Sequence, residues 1–297
     1  MPSSCDGCRR RHDPLPPQNN PRRVRLGTRL RELRAARYRS ASALGRDLGW
    51  QQSRVSKLER GAQLPTPEDL DAWVTATGAG PAVRAELIDL LTSARVNYSV
   101  FSEVYRAGGI AEHQAELGRL EAQATVIREY QPAMIPGLVQ TPAYARELLS
   151  IPGGPVLTGS TPEAVDALVA ERIKRQELLY QPNRRVQIVL GQAALWTHFG
   201  SVNTLRGQLD RLVTLAELDS IELGIVPVAN PSPIMPLAGF SLHDDDVLYV
   251  ETLTDEHRIE DPEQIAAHIR AFDLLRDAAV TGPDAATLIG KVAAKLR

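Results

Sequence analysis

Apolar residues return every third or fourth position through the first third of the chain, the spacing of helices with one buried face. Leu26, Leu30 and Leu33 line one side of a first helix, and Leu44 and Leu48 one side of a second. Gly49 stands where the chain must turn sharply, because glycine reaches left-handed backbone angles without a Cβ clash. A third helix is predicted over about 51–60. It puts Val55 and Leu58 on one flank and Gln51, Gln52, Ser53, Arg54 and Lys57 on the other, and Gly61 ends it. Thr66 as cap, Pro67 in the first turn, then Glu68 and Asp69 mark a fourth start, with Leu70, Trp73 and Val74 as its apolar face. Pro81 opens a fifth helix carrying Val83, Leu87, Ile88, Leu90 and Leu91.

The pattern then changes. Residues 96–112 have no clean period and read as a connector. From 113 to about 130 the spacing of Leu117, Leu120, Ala124 and Ile127 predicts a helix. Pro132, Pro136 and Gly137 break the chain, Thr141 and Pro142 start a short helix, and another helix is predicted over about 162–180. Segments 185–190, 221–228, 239–243 and 247–251 are short and rich in strand formers, with Asp244 to Asp246 as a hairpin turn between the last two. Helices over about 203–218 and 262–279 complete the pattern. The predicted fold class is α + α/β: an all-α five-helix N-terminal domain and a mixed α/β C-terminal domain with a small sheet. The predicted divisions are a disordered basic arm (1–23), a DNA-binding domain (24–95), a connector (96–112), an α/β regulatory or partner-binding domain (113–280) and a C-terminal segment (281–297).

Leu44, the small Gly45, the turn at Gly49 and the run SRVSKLERG over 53–61 together resemble the helix-turn-helix of Cro/C1-type (Xre) repressors. The resemblance implies that the third helix enters a DNA major groove. Gln51, Gln52, Ser53 and Lys57 would then reach base edges, and Arg46, Arg54, Arg60 and Ser42 would reach phosphates. It also implies an ion pair between Arg34 and Glu59. Two positions depart from the family. Ala41 stands where a glutamine often touches a phosphate, so Ser40 or Ser42 is left to cap the second helix. Gly45 stands where alanine is usual.

The C-terminal part carries a second resemblance. YQPAMIPGLVQTPAYA over 130–145, AERIKRQ over 170–176 and VLYVE over 247–251 look like the uncharacterised domain that follows an Xre helix-turn-helix in many actinobacterial regulators. Those regulators are often described as antitoxin-like and are commonly encoded beside a small partner protein. This implies regulation and a partner, not a chemistry.

Charge sharpens the first reading. Residues 1–61 hold 15 lysines and arginines against five acids, a formal +10 inside a chain whose total is -2. The basic segment favours phosphate through counterion release, while the acidic remainder suits a small basic protein. The expected partners are a double-stranded DNA operator, a second copy of the chain in a homodimer, and that small basic protein. No run of 18 apolar residues appears and the N-terminus lacks a signal-peptide core, which predicts a cytoplasmic location away from any membrane. Cys5, Cys8 and His12 are zinc-ligand types, but no second cysteine pair follows, so they read as a reduced tail. Arg9 to Arg11 and Arg22 to Arg25 form a basic arm within reach of phosphates.

No catalytic, metal or cofactor constellation stands out, so neither an enzyme nor a cofactor is expected. His198, His243, His257 and His268 are scattered packing or surface histidines, and His243 with Asp244 to Asp246 reads as a turn rather than a cation site. Glu251, Thr252 and Asp255 follow a strand, where open sheets place ligands. Ile234, Met235 and Leu237 give the loop 230–239 an apolar character assigned to core or domain contact, with a partner surface as the alternative. The competing functional readings are a small-molecule-sensing repressor and a DNA-targeted α/β enzyme.

Overall fold

Pro21 opens the first helix, three residues ahead of the expected boundary. The computed structural model describes residues 21–100, 110–151, 161–235, 237–252 and 255–296. Cys5, Cys8, His12 and Arg9 to Arg11 lie outside them. Arg22, Arg23 and Arg25 belong to helix α1 (Pro21–Arg37), which corrects their assignment to an arm. The chain divides into two units, one ending at Val96 and one beginning at Asn97.

In the first unit α1 is followed by α2 (Ala41–Leu48), α3 (Gln52–Glu59), α4 (Pro67–Thr77) and α5 (Pro81–Ala94). The apolar stripes read from the sequence meet in one core. Leu30, Leu44, Val55, Leu70 and Trp73 are sealed from solvent, and Trp73 Nε1 donates to Leu30 O at 3.2 Å. Ser40, not Ser42, caps α2 by accepting from the Ala43 N–H. Thr66 and Asp69 form a reciprocal capping box on α4. The turn between α2 and α3 depends on Gly49 at φ 67, where Trp50 N donates to Gly45 O at 2.7 Å and Gly49 N to Arg46 O at 3.4 Å. That pattern satisfies the last carbonyls of α2 and aims the chain into α3.

The second unit is built on an eight-stranded sheet, twice the four strands read from the sequence. The strands are β1 (Val96–Val100), β2 (Val126–Gln131), β3 (Arg185–Gly191), β4 (Ile221–Val226), β5 (Phe240–His243), β6 (Val247–Glu251), β7 (Asp255–Ile259) and β8 (Val280–Thr281), in the order β1-β7-β6-β5-β2-β3-β4-β8. β2, β3 and β4 run parallel, and β5 to β7 form an antiparallel meander on the other side of β2. Helices α6 (Ile110–Gln123), α7 (Pro142–Ser150), α8 (Pro162–Arg175), α9 (Val202–Leu215), α10 (Pro262–Ala278) and α11 (Gly282–Lys295) pack on it.

Four expectations need correction. The helix predicted to 130 stops at Gln123, and Ile127 lies on β2, where its pairing with Val186 and His243 replaces helical packing. The 96–112 connector contains β1 and the start of α6. The helix ending at Ala278 is not the last, since α11 follows and buries Ala285, Ile289 and Val292 in the core of the unit. Met235 and Leu237 are 77% and 83% exposed, so they do not cover the core.

The register fixes which side chains share a face. On one face Ile127, Glu129 and Gln131 of β2 stand beside Val186, Ile188 and Leu190 of β3, which stand beside Ile221, Leu223 and Ile225 of β4. Toward the meander the same face continues as Ser241 and His243, then Val247, Tyr249 and Glu251, then Glu256 and Arg258. It is aliphatic on one side of β2 and mostly polar on the other. The opposite face carries Tyr130 and Phe240, with the His268 ring of α10 edge-on to Phe240 at 5.0 Å.

Candidate nucleic-acid interface and a cavity in the second unit

Eight residues make α3, and the 3.6-residue period splits them cleanly. Val55 and Leu58 are buried, while Gln52, Ser53 and Lys57 are exposed. Gln51 is also exposed but sits just ahead of the helix as its cap, at φ -68 and ψ 143. Gln52 Nε2 donates to Ser56 Oγ at 2.7 Å, which steadies the amide on the helix surface. Arg46, Arg60 and Ser42 are exposed as well. Arg54 differs from the others. Its guanidinium lies 4.4 Å above the Trp50 ring and donates to Asp69 Oδ1 at 2.7 Å, tying α3 to α4. The sequence showed Arg54 as one more surface cation. The partner that holds it lies fifteen residues away and is visible only in the fold.

The exposed flank is held from beneath. Arg34 Nε donates to Glu59 Oε1 at 2.5 Å and Nη2 to Oε2 at 3.3 Å, with both side chains largely buried. Arg31 stands farther off, at 3.7 Å from Glu59. α1 and α3 also touch through backbone, because a Cβ at Gly27 would lie 2.5 Å from Glu59 O. Gly45 plays the same part between α2 and the turn, where a Cβ would lie 2.8 Å from Trp50 O. Alanine gains up to about 1 kcal/mol in helix propensity over glycine. Even so, Gly45→Ala is expected to destabilise the unit by roughly 1–2 kcal/mol, since the oxygen it meets is backbone and cannot swing aside. A melting temperature at or above that of the parent protein would refute this.

The second unit holds a cavity of about 760 Å3. Its floor is the polar half of the sheet face, with Glu129, Ser241, His243, Tyr249 and Glu251. Its roof comes from α6, α7 and α8, with Glu121, Leu148, Leu168, Arg172 and Arg175. Thr252 also lines it, so the strand-end residues Glu251 and Thr252 do meet a cavity, while the side chain of Asp255 lies outside the described residues. Arg175 forms a bidentate pair with Glu121 and donates to Gln114 Oε1 at 2.6 Å. Arg172 Nη1 donates to Gln140 Oε1 at 2.7 Å. Asp244 belongs to the turn and not to the cavity, since its Oδ1 accepts from Thr125 N and Val126 N.

Two groups lining the cavity are pushed in opposite directions. Loss of solvation, reinforced by Glu121 and Glu251 against Gln131 and Arg175, raises Glu129 to about 7. Loss of solvation, reinforced by Arg175 and Arg258 against Asp244, lowers His243 to about 4. Keeping Glu129 neutral contributes stability that is complete below its ordinary value of 4.5 and is lost as pH rises through about 7. Keeping His243 neutral contributes stability that is complete above 6.5 and is lost as pH falls toward 4. Glu129→Gln is therefore expected to match the parent protein near pH 4.5 and to exceed it by about 2 kcal/mol near pH 8. Thermal melts across that range check it, and identical curves would remove the charge burial from the account.

Residues 114–291 match a family described as a domain of unknown function (DUF5753), and residues 25–87 match a family described as a helix-turn-helix domain. The first match covers more than half of the chain. The chain belongs to the DUF5753 family. Its first unit is a helix-turn-helix domain, which places the protein among DNA-binding regulators. No curated protein matches. Among solved structures, the archaeal chromatin protein TrmBL2, described as showing a novel mode of DNA binding, aligns at 12% identity and a TM-score of 0.32, over 86% of this chain and 99% of that one. That likeness is too slight to support any inference.

The cavity lies wholly within the DUF5753 domain, and most of its polar residues escape a reading of the sequence. Glu129 and Glu121 fell inside one predicted helix and Arg175 inside another, with nothing in the spacing to join them. The signal that was there is the alternation of Ile127, Glu129 and Gln131 along one strand face, which becomes visible once 126–131 is known to be a strand. No helix among the described residues is long and apolar enough to cross a membrane.

Proposed function

We propose that the protein is a sequence-specific DNA-binding transcriptional regulator of the Cro/C1 type, acting as a homodimer on a near-palindromic operator. The observation that carries this reading is the α3 surface: a buried seam of Val55 and Leu58 beneath an exposed flank of Gln52, Ser53 and Lys57, with Gln51 at its leading end. These four side chains are assigned to base edges. Arg46, Arg60 and Ser42 are assigned to phosphates, and Arg54, held by Asp69, reaches a phosphate with its remaining donors. Two copies would set their α3 helices in successive major grooves about 34–36 Å apart. Selection of bound sequences from random DNA by the full chain, at defined salt, tests this. The expected product is a two-fold related site whose affinity falls steeply with salt. Absence of salt-sensitive DNA binding would overturn the reading.

Within it, Gln52→Ala is expected to relax preference at one or two base pairs, at about 1–3 kcal/mol for the favoured base. Equal loss on every sequence would make Gln52 a phosphate contact instead.

For the second unit, an antitoxin-like role with a small basic protein partner and a small-molecule effector are the two readings. The cavity favours the effector, because it is of ligand size and lies between a sheet face and its covering helices. An effector acts on operator affinity only by binding two states of the protein differently.

A further inference from the structure

We propose that the cavity of the second unit binds a small organic cation, an amine on an apolar body, with the Glu129 carboxylate as its anchor and the His243 imidazole beside it. This rests on the effector reading above and names the chemistry of the ligand.

The sheet supplies the first argument. Across β3 and β4 the inner face is aliphatic and packs under helices, as a face built for packing does. From Glu129 of β2 onward the same face carries Ser241, His243, Tyr249, Glu251 and Glu256, all of which line the cavity, with Val247 and Arg258 beside them. His243 and Tyr249 are buried on this part of the face, where a polar group costs stability unless it finds a partner. Isoleucine or valine at 129 would continue the core of its neighbours Ile188 and Leu223.

Charge is the second argument. Four carboxylates line the cavity (Glu121, Glu129, Glu251 and Glu256) against two guanidiniums (Arg172 and Arg175). Arg175 is spread over Glu121 and Gln114, and Arg172 donates to Gln140. The hydrogen bond that Glu129 accepts is a long one, 3.5 Å from Gln131 Nε2. A carboxylate held this way is the acceptor that an ammonium group would complete, and the excess of negative groups opposes an anionic occupant.

His243 is independent of both. It is 5% exposed, lines the cavity, and its Nδ1 has no hydrogen-bond partner among the described residues. A neutral imidazole nitrogen there can accept from the same ligand, and burial beside Arg175 and Arg258 keeps the ring neutral. Away from this polar floor the walls are Leu138, Leu148, Leu149, Leu168 and Phe199. They suit a hydrocarbon or aromatic body, and the volume of about 760 Å3 is that of a drug-sized ligand site.

The test is calorimetric titration of the full-length protein near pH 8, without DNA, using phenylbutylamine, phenylbutanol and phenylbutyrate, which share a body and differ in head-group charge. The amine is expected to bind at least about tenfold more tightly than the alcohol, with no detectable heat from the acid. Glu129→Gln should abolish the advantage of the amine while melting at or above the parent temperature. The proposal is overturned if the acid binds as tightly as the amine, if no probe binds below about 10 mM, or if Glu129→Gln keeps the amine preference. The comparison of the three probes on the parent protein decides the matter even without the variant. Failure of the regulator reading would show instead as absent operator binding, in a separate measurement.

Discussion

Arg34→Ala should cost the helix-turn-helix unit about 3 kcal/mol, enough to shift its melting by many degrees. The guanidinium is mostly buried and ties α1 to α3. It binds Glu59 at the end of α3 through two nitrogens, and it donates to Tyr38 O just past the end of α1 at 3.3 Å. Removing it strands the Glu59 carboxylate, whose side chain is only 6% exposed, in a site built for a charged partner. Arg31, at 3.7 Å and itself half exposed, compensates in part, which is why the lower end of the range for a broken buried pair is expected. Because Glu59 closes the helix that carries Gln52, Ser53 and Lys57, operator affinity should fall with stability. Denaturation followed by fluorescence, in which Trp50 and Trp73 report on this unit, is the measurement. A parent-like midpoint would remove the pair from the account.

Gly27→Ala should be comparably severe, about 2–3 kcal/mol, although alanine is the better helix former. The added carbon would lie 2.5 Å from Glu59 O, 2.8 Å from Glu59 C and 2.9 Å from Leu58 O. All three atoms are backbone in the last turn of α3. No rotamer change relieves the overlap, so α1 and α3 must separate, which opens the seam made by Leu26, Leu30, Val55 and Leu58. Circular dichroism melts together with operator titration would show both losses. A Gly27→Ala protein as stable as its parent would mean that the two helices are not packed backbone to backbone.

In the first unit, local rules and tertiary structure agree, so most of it was legible. The leucine spacing in α1, the cap at Thr66 and the glycine after α2 each specify a helix or its end within a few residues, and packing then only has to bring the stripes together. The pairing of Arg34 with Glu59 was expected from a resemblance, and in the fold the two groups stand 2.5 Å apart. The Arg54–Asp69 pair and the Gly27 contact were not legible, since both join helices whose relative placement no local pattern encodes.

The second unit was harder to read for a physical reason. Its strands are short, and β2 and β3 lie inside the sheet with neighbours on both sides. Leu117, Leu120, Ala124 and Ile127 continue one helical spacing across a boundary that tertiary pairing imposes at residue 124. β7 and β8 have little strand signal of their own and exist because β6 and β4 offer them open edges.

From the order of its residues alone, this chain specifies a basic five-helix module with an amphipathic third helix, followed by a mixed α/β region, because helix periodicity, caps and charge act between near neighbours. The placing of Glu129 and His243 on one cavity wall, the conversion of Arg54 from a surface cation into a strut, and the cavity itself depend on strand register and helix packing. Those bring together residues more than a hundred positions apart, and only the folded molecule decides them.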